Sequence, residues 1–430
     1  MGRRDRDGIA RLLAYPPERA AAQILDAAAH RRPRLLIGVS ARLPDLMSRI
    51  TPAPLSPRTA GIIPQALIPT RLATPDPRRP SMPALNWKPD LLEGYHQHTF
   101  ELGADPDGEG TAAAVLVRRD PGGGERHDPL PVRGAVLYIH GFSDYFFQTE
   151  LADFFAARHL AFYALDLRKC GRARRPGQTA HYVSDLALYD RELDLAVEAI
   201  VQEHGDVPVL LAAHSTGGLI LPLWLDRRRA AGRTEPISGV VLNSPWFDLQ
   251  GTAMRRGLLT QVLRVAAKAA PMRALAVPTS VYGDTLHQSR NGEWEFDLEL
   301  KPLSGFPVTV GWLNAVRRAH AALHLGLHIG VPSLILRSDR SHFSSHYSES
   351  SDLADLILDV TQIARWAGCL GDETTVVPIP GARHDVFLSR PEVRAHAYSV
   401  VDAWLEHHPV VTGRQPREAG ALGQEKSRTR

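Results

Sequence analysis

Ser215 in Ala213-His214-Ser215-Thr216-Gly217-Gly218, His384 in Gly381-Ala382-Arg383-His384-Asp385, and a set of aspartates between them could do chemistry together. A serine hydroxyl attacks a carbonyl at neutral pH when an imidazole takes its proton and a carboxylate orients that imidazole. The chemistry expected is therefore covalent acyl transfer, independent of any cofactor or metal. Ser215 is the candidate nucleophile and His384 the candidate general base.

The local sequence places Ser215 where such a nucleophile must sit. Pro208-Val209-Leu210-Leu211-Ala212 reads as a short buried strand, and Leu219–Leu225 continues as an apolar helix, so Ser215 falls at a sharp strand-to-helix turn. The residues two before and two after the serine must be small because the backbone there approaches itself closely. They are Ala213 and Gly217. Upstream, the strand Ala135–Ile139 ends in His140-Gly141-Phe142. An acyl-transfer site needs backbone N–H groups aimed at the developing oxyanion, and the Phe142 and Thr216 amides are the candidates. His140, Gly141, His214 and Trp246 flank these turns and are expected to line the substrate pocket.

Several residues compete for the role of the acid. Asp339 ends the strand 331–338, while Asp355 leads through Leu356-Ile357-Leu358-Asp359 into a helix at 361–366. Asp355 is preferred if Ser341–Ser351 is an insertion in that loop, and Asp339 remains the alternative. Asp359 suits the N-cap of the helix that follows.

Strands at 134–139, 161–166, 208–213 and 238–243 alternate with helices at 148–158, 185–204 and 217–229. Such alternation predicts an α/β fold with a mostly parallel central sheet and helices on both faces. Two antiparallel strands, 99–102 and 112–118, open it. Each candidate residue then falls at a strand's carboxyl end, where ligands bind such sheets. After Trp246 the rhythm stops. Residues 248–312 are expected to form a helical cap, with an apolar helix face at Leu258, Leu259, Val262, Leu263, Val265 and Ala266 and aromatic surface from Tyr282, Trp294, Phe296 and Trp312. Such a cap could enclose an acyl chain or rest on a membrane surface.

The order of strand, His140-Gly141, Ser215 turn, acid and His384 over roughly 90–408 resembles the α/β-hydrolase superfamily, in the branch of monoglyceride lipases, lysophospholipases and serine aminopeptidases. The resemblance implies that fold and a Ser215-His384-Asp355 triad, because the acid-to-histidine separation resembles the family's and Asp355 is followed by a hydrophobic run, Asp359 and a helix. Asp166-Leu167-Arg168-Lys169-Cys170-Gly171-Arg172-Ala173 is similar to a strand-end segment of that branch. Ala213 departs from the usual elbow glycine and Ala173 from a common serine; neither change removes a catalytic group. The activity implied is carboxylic ester hydrolysis on a monoacylglycerol or lysophospholipid. An aminopeptidase-like peptidase and a non-catalytic ligand-binding homologue are the alternatives.

The 430 residues are 44% hydrophobic with a formal net charge of +3, enough for one large core and without the gathered basic face that nucleic-acid binding needs. No Walker A or GxGxxG pattern supports nucleotide chemistry. Cys170 and Cys369 make no disulfide framework, so a cytoplasmic location is the expectation, with peripheral membrane contact through the cap as the further option. No apolar run is long enough to span a bilayer. Residues 1–85 read as an Arg/Ala/Pro-rich extension with a linker near 51–83, 86–412 as the catalytic domain, and 413–430 as a disordered polar tail. His320, His324 and His328 recur at helical spacing, but no carboxylate completes a metal site, and a partly exposed face is expected. Asp185, Asp190 and Asp194 read as a solvated helix face. Oligomeric state is not encoded in any recognisable pattern.

Overall fold

The computed structural model describes residues 84–120, 132–250, 253–276 and 280–413. The chain divides into the units Met1–Arg79 and Pro80–Arg430, and every described residue lies in the second. The expected extension and the polar tail thus fall outside the described residues, apart from Ala84, Leu85 and Gly413.

The core is a nine-stranded sheet in the order β1-β2-β3-β5-β4-β6-β7-β8-β9. The strands are β1 Lys88–Pro89, β2 Tyr95–Ala104, β3 Thr111–Arg119, β4 Gly134–Ile139, β5 Leu160–Asp166, β6 Val209–His214, β7 Ile237–Asn243, β8 Ser333–Ser338 and β9 Thr374–Ile379. The pairs β1-β2, β2-β3 and β3-β5 are antiparallel, and from β5 to β9 every pair is parallel. The α/β expectation holds, including the antiparallel opening.

All residues of β4 and β6 are buried, as unbroken apolar strands in the middle of a parallel sheet must be. Successive side chains still alternate between faces. Ala135, Leu137, Ile139, Leu211 and Ala213 enter one core layer, whereas Val136, Tyr138, Leu210 and Ala212 enter the other. The first layer is covered by α2 (Asp190–His204), α3 (Gly217–Ala230) and α6 (Val310–Leu323), the second by α1 (Thr149–Ala156) and α8 (Pro391–His407).

The cap is smaller than expected at its far end. Helix α6 places Val310, Trp312, Leu313, Val316 and Leu323 in the main core, so it is the crossover helix between β7 and β8, and the insertion ends just before it. Within the insertion lie α4 (Ala253–Ala269) and α5 (Tyr282–Leu286). Of the apolar face expected on α4, Leu263 is buried, whereas Val262 and Val265 are 56% and 71% exposed; the side chains of Leu258 and Leu259 lie outside the described residues. Tyr282, Trp294 and Phe296 pack with Tyr145, Phe147 and Leu388 in a separate cluster that fixes this part of the insertion to the loops beneath it.

Two charge readings are also corrected. Asp190 binds Arg227, and Asp194 binds Arg228 and Arg233, so these two carboxylates clamp α2 to α3 and the turn after it, whereas Asp185 stays 55% exposed in its pair with Arg318, as a solvated face requires. His320 is fully buried, not partly exposed, because α6 packs it against the chain after β7. There His320 and His324 donate from Nε2 to the carbonyls of Trp246 and Phe247, each at 2.8 Å. His328 lies beyond the end of α6, and among the described residues no cluster of His, Cys, Asp or Glu suited to a metal occurs.

Candidate active site

Ser215 follows β6 directly and has φ of 52°, a left-handed conformation that turns the chain abruptly into α3. The turn is locked from three sides. The Ser215 amide donates to Asn243 O on β7, and the amides of Gly218 and Trp246 both donate to Ser215 O, each bond at 3.0 Å. A Cβ on Gly217 would stand 2.6 Å from His140 O and 2.7 Å from Ile139 O, so α3 can begin this close to β4 only with glycine there. Ala213, on the other side of the turn, is accommodated within the core at 1% exposure.

His384 lies after β9 in the loop that crosses the top of the sheet. Its Nε2 is 2.9 Å from Ser215 Oγ, and its Nδ1 is 2.9 Å from Asp355 Oδ2. All three residues are at most 7% exposed. Asp355 Oδ1 accepts the amides of Ile357 and Leu358, each at 2.8 Å, which fixes the carboxylate plane and leaves Oδ2 for the imidazole. The chain reaches this position because Ser341 and Asp355 form a parallel bridge and Asp352 makes a buried ion pair with Arg383, the residue before His384. Asp339 does not reach the imidazole. It binds the Arg340 guanidinium and the Gly381 amide; burial alone would raise its carboxyl pKa, but those bonds hold it below the ordinary value. Asp359 accepts the Thr361 amide at 3.1 Å as the N-cap of α7 (Val360–Trp366).

The strand exit 140–142 packs against the same turn. His140 Nε2 accepts the Leu167 amide, so its Nδ1 carries the proton and donates to Gly141 O at 2.7 Å. In a trans peptide the N–H opposes the C=O, so that bond also aims the Phe142 amide away from Gly141 O. Among the described residues neither the Phe142 nor the Thr216 amide donates to a protein acceptor. Thr216 is moreover the N-cap of α3, at the positive end of the helix dipole.

Above Ser215 and His384 opens a cavity of about 730 Å³. Its walls are mainly apolar: Phe142, Trp246, Phe296, Phe306, Trp312 and Leu358 are among them. His214 and Trp246 line it. His140 and Gly141 do not; they stand behind Phe142 and Thr216 with Cys170 and His181, because the His140 ring turns inward to bind the backbone of the neighbouring strand exit. The cavity wall contains no aspartate or glutamate among the described residues, and Lys301 is its one lysine or arginine.

Lys301 pairs with Asp144 at 2.7 Å, and the other oxygen of Asp144 is 3.3 Å from His214 Nδ1. Burial favours the neutral acid of Asp144, but the Lys301 charge and the His214 bond outweigh it and hold this carboxyl well below the usual carboxylate range. Lys301, Asp144 and Asn243 were not legible as site residues. A polar side chain closing the otherwise apolar run Val240-Val241-Leu242 was the one available signal for Asn243.

The family described as "Serine aminopeptidase, S33" matches residues 131–389, more than half of the chain and the whole span from β4 to the loop after His384. Monoglyceride lipase of Mus musculus is 28% identical over 239 residues, which are 54% of this chain and 69% of the mouse protein. Two solved structures share the fold. A soluble variant of the Saccharomyces cerevisiae monoglyceride lipase with a substrate analogue superposes with a TM-score of 0.51 at 18% identity, over 78% of this chain and 98% of the yeast one. A thermostable carboxyl esterase from Bacillus coagulans superposes with a TM-score of 0.51 at 13% identity, over 73% and 98% of the two chains. The strand order, the turn at Ser215 and the extent of the family match agree, and the chain belongs to the serine aminopeptidase S33 family of α/β-hydrolases.

Proposed function

We propose that this chain is a serine-dependent carboxylic ester hydrolase that acts on a monoacyl substrate such as a monoacylglycerol or a lysophospholipid. The observation that carries the reading is the continuous line of two 2.9 Å contacts from Ser215 Oγ through His384 to Asp355 at the base of an apolar cavity. His384 Nε2 takes the Ser215 proton as Oγ bonds to the ester carbonyl carbon. Asp355 keeps the imidazole in the Nδ1–H tautomer and balances the imidazolium charge. The amides of Phe142 and Thr216 receive the oxyanion. Collapse of the tetrahedral intermediate breaks the ester C–O bond, and the imidazolium protonates the departing alcohol. Water, deprotonated by His384, then attacks the acyl carbon; the bond to Ser215 Oγ breaks, the imidazolium returns its proton to Oγ, and the carboxylic acid is released.

Peptide chemistry is the rival within the same family. An aminopeptidase must hold a substrate ammonium, which in a low-dielectric cavity requires a carboxylate. The absence of acidic side chains from the described cavity wall, with Lys301 there instead, supports the ester reading. The exposed Val262 and Val265 on α4 support contact between the cap and a lipid surface, and the free thiols of Cys170 and Cys369 support a reducing, cytoplasmic setting. Among the described residues no helix is long and apolar enough to cross a membrane.

The test is labelling of the full chain by a fluorophosphonate, followed by parallel assays with monoacylglycerols, lysophospholipids and aminoacyl anilides. Ester turnover with label on Ser215 is expected. Anilide turnover without ester turnover would replace this reading with the peptidase, and an unlabelled, inactive protein would leave a ligand-binding homologue.

A further inference from the structure

We infer that Asn243 is a positioning residue for the reaction, one that holds the nucleophile turn and the His384 loop at a fixed separation. The inference rests on the proposed roles of Ser215 and His384. Asn243 is the last residue of β7 and is 2% exposed. Its main chain and side chain serve different partners. The backbone carbonyl accepts the Ser215 amide at 3.0 Å. The side-chain amide grips the two residues that follow His384: Nδ2 donates to Asp385 Oδ1 at 2.6 Å, and Oδ1 accepts the Val386 amide at 3.0 Å.

Asparagine suits this task because it offers one donor and one acceptor in a rigid plane. The loop after β9 presents a carboxylate and an N–H on consecutive residues, which match that plane. Ser215 and His384 come from stretches 169 positions apart, so their 2.9 Å contact depends on whatever fixes one loop against the other. Asn243 does so through a single residue anchored in the sheet. Other contacts to Asp385 supplement the grip: Gln148 Nε2 donates to Oδ2 at 3.4 Å, and the Asp385 amide donates to the Tyr282 hydroxyl at 3.1 Å. Neither of these touches the Ser215 turn.

The test compares wild type, Asn243→Ala, Asn243→Asp and the exchanged pair Asn243→Asp with Asp385→Asn, using p-nitrophenyl esters and a fluorophosphonate. A misplacement on the order of 1 Å costs about 100-fold in rate. Asn243→Ala is expected to lower kcat by about 10- to 100-fold with KM changed less than about threefold, and to slow labelling of Ser215 in proportion. Asn243→Asp sets two carboxylates against each other, so its kcat should fall further at neutral pH. The exchanged pair restores a donor opposite an acceptor, at the cost of the 3.0 Å bond that Asp385 Oδ1 accepts from the Phe387 amide, and should regain about tenfold over Asn243→Asp. Wild-type kcat in Asn243→Ala would overturn the inference. Should Asn243→Ala fail to fold, the exchanged pair decides: a melting temperature restored without any recovery of kcat assigns Asn243 to stability alone and also overturns it. Absence of label on Ser215 in the wild type would instead remove the ester-hydrolase reading on which it rests.

Discussion

His214 and His384 lie side by side, ring centroids 4.8 Å apart, yet each is bonded to a different carboxylate: His214 to Asp144 at 3.3 Å and His384 to Asp355 at 2.9 Å. Only the His384–Asp355 pair also reaches Ser215 Oγ. The Asp144 carboxylate is also paired with Lys301, at 2.7 Å.

Replacing the two candidate acids should therefore have unequal effects. In the proposed mechanism Asp355→Asn removes the acceptor that sets the His384 tautomer and should lower kcat about 10,000-fold, as loss of the acid does in Ser-His-Asp triads. Asp339→Asn, which breaks only the contacts with Arg340 and Gly381, should leave kcat within about threefold. Steady-state kinetics on one soluble ester distinguishes them, and equal losses would contradict the assignment.

Ser215→Ala should abolish fluorophosphonate labelling and lower ester turnover by about 10,000-fold or more, with the melting temperature close to wild type. Among the described residues the side chain makes one polar contact, to His384, so little packing is lost. Persistent turnover would place the nucleophile elsewhere.

Gly217→Ala should destabilise the fold by about 1–3 kcal/mol and depress activity, because the added methyl would meet the backbone oxygens of His140 and Ile139 below 3 Å. Backbone on a central strand cannot yield as a flexible side chain can. Ala213→Gly, which restores the more usual elbow residue, should change stability by about 1 kcal/mol or less. Thermal melts of both variants check the asymmetry.

His320 should impose an acid sensitivity on stability. Burial first, and the neighbouring Arg317 second, push its pKa down to about 3. The neutral ring is satisfied as it stands: Nε2 donates to Trp246 O and Nδ1 faces Arg317 Nη1 at 3.2 Å as an acceptor. A second proton would set an N–H against the guanidinium. Since the folded value lies below the unfolded one near 6.5, this stabilisation is complete above about pH 6.5 and is lost progressively as pH falls toward 3. Melting temperature should thus decline between about pH 6.5 and 4, and His320→Gln should flatten that part of the curve. An unchanged slope in the variant would trace the sensitivity to other groups.

The sequence by itself determined the α/β alternation, the sharp turn at Ser215 and the loop that carries His384. Those features are written in neighbouring residues: unbroken apolar strands, small residues around the turn, and a cap at Asp359 for the helix that follows. What only the tertiary structure decided were the relations between distant stretches. Asp355 rather than Asp339 faces His384 because the intervening loop folds back on itself through the Ser341–Asp355 bridge and the Asp352–Arg383 pair, which no local pattern encodes. His140 turns away from the cavity, His320 is buried and Trp312 belongs to the core because the packing of α6 and the strand exits sets which side of each residue meets solvent. Periodicity specifies a face of an element; what that face meets depends on the rest of the chain.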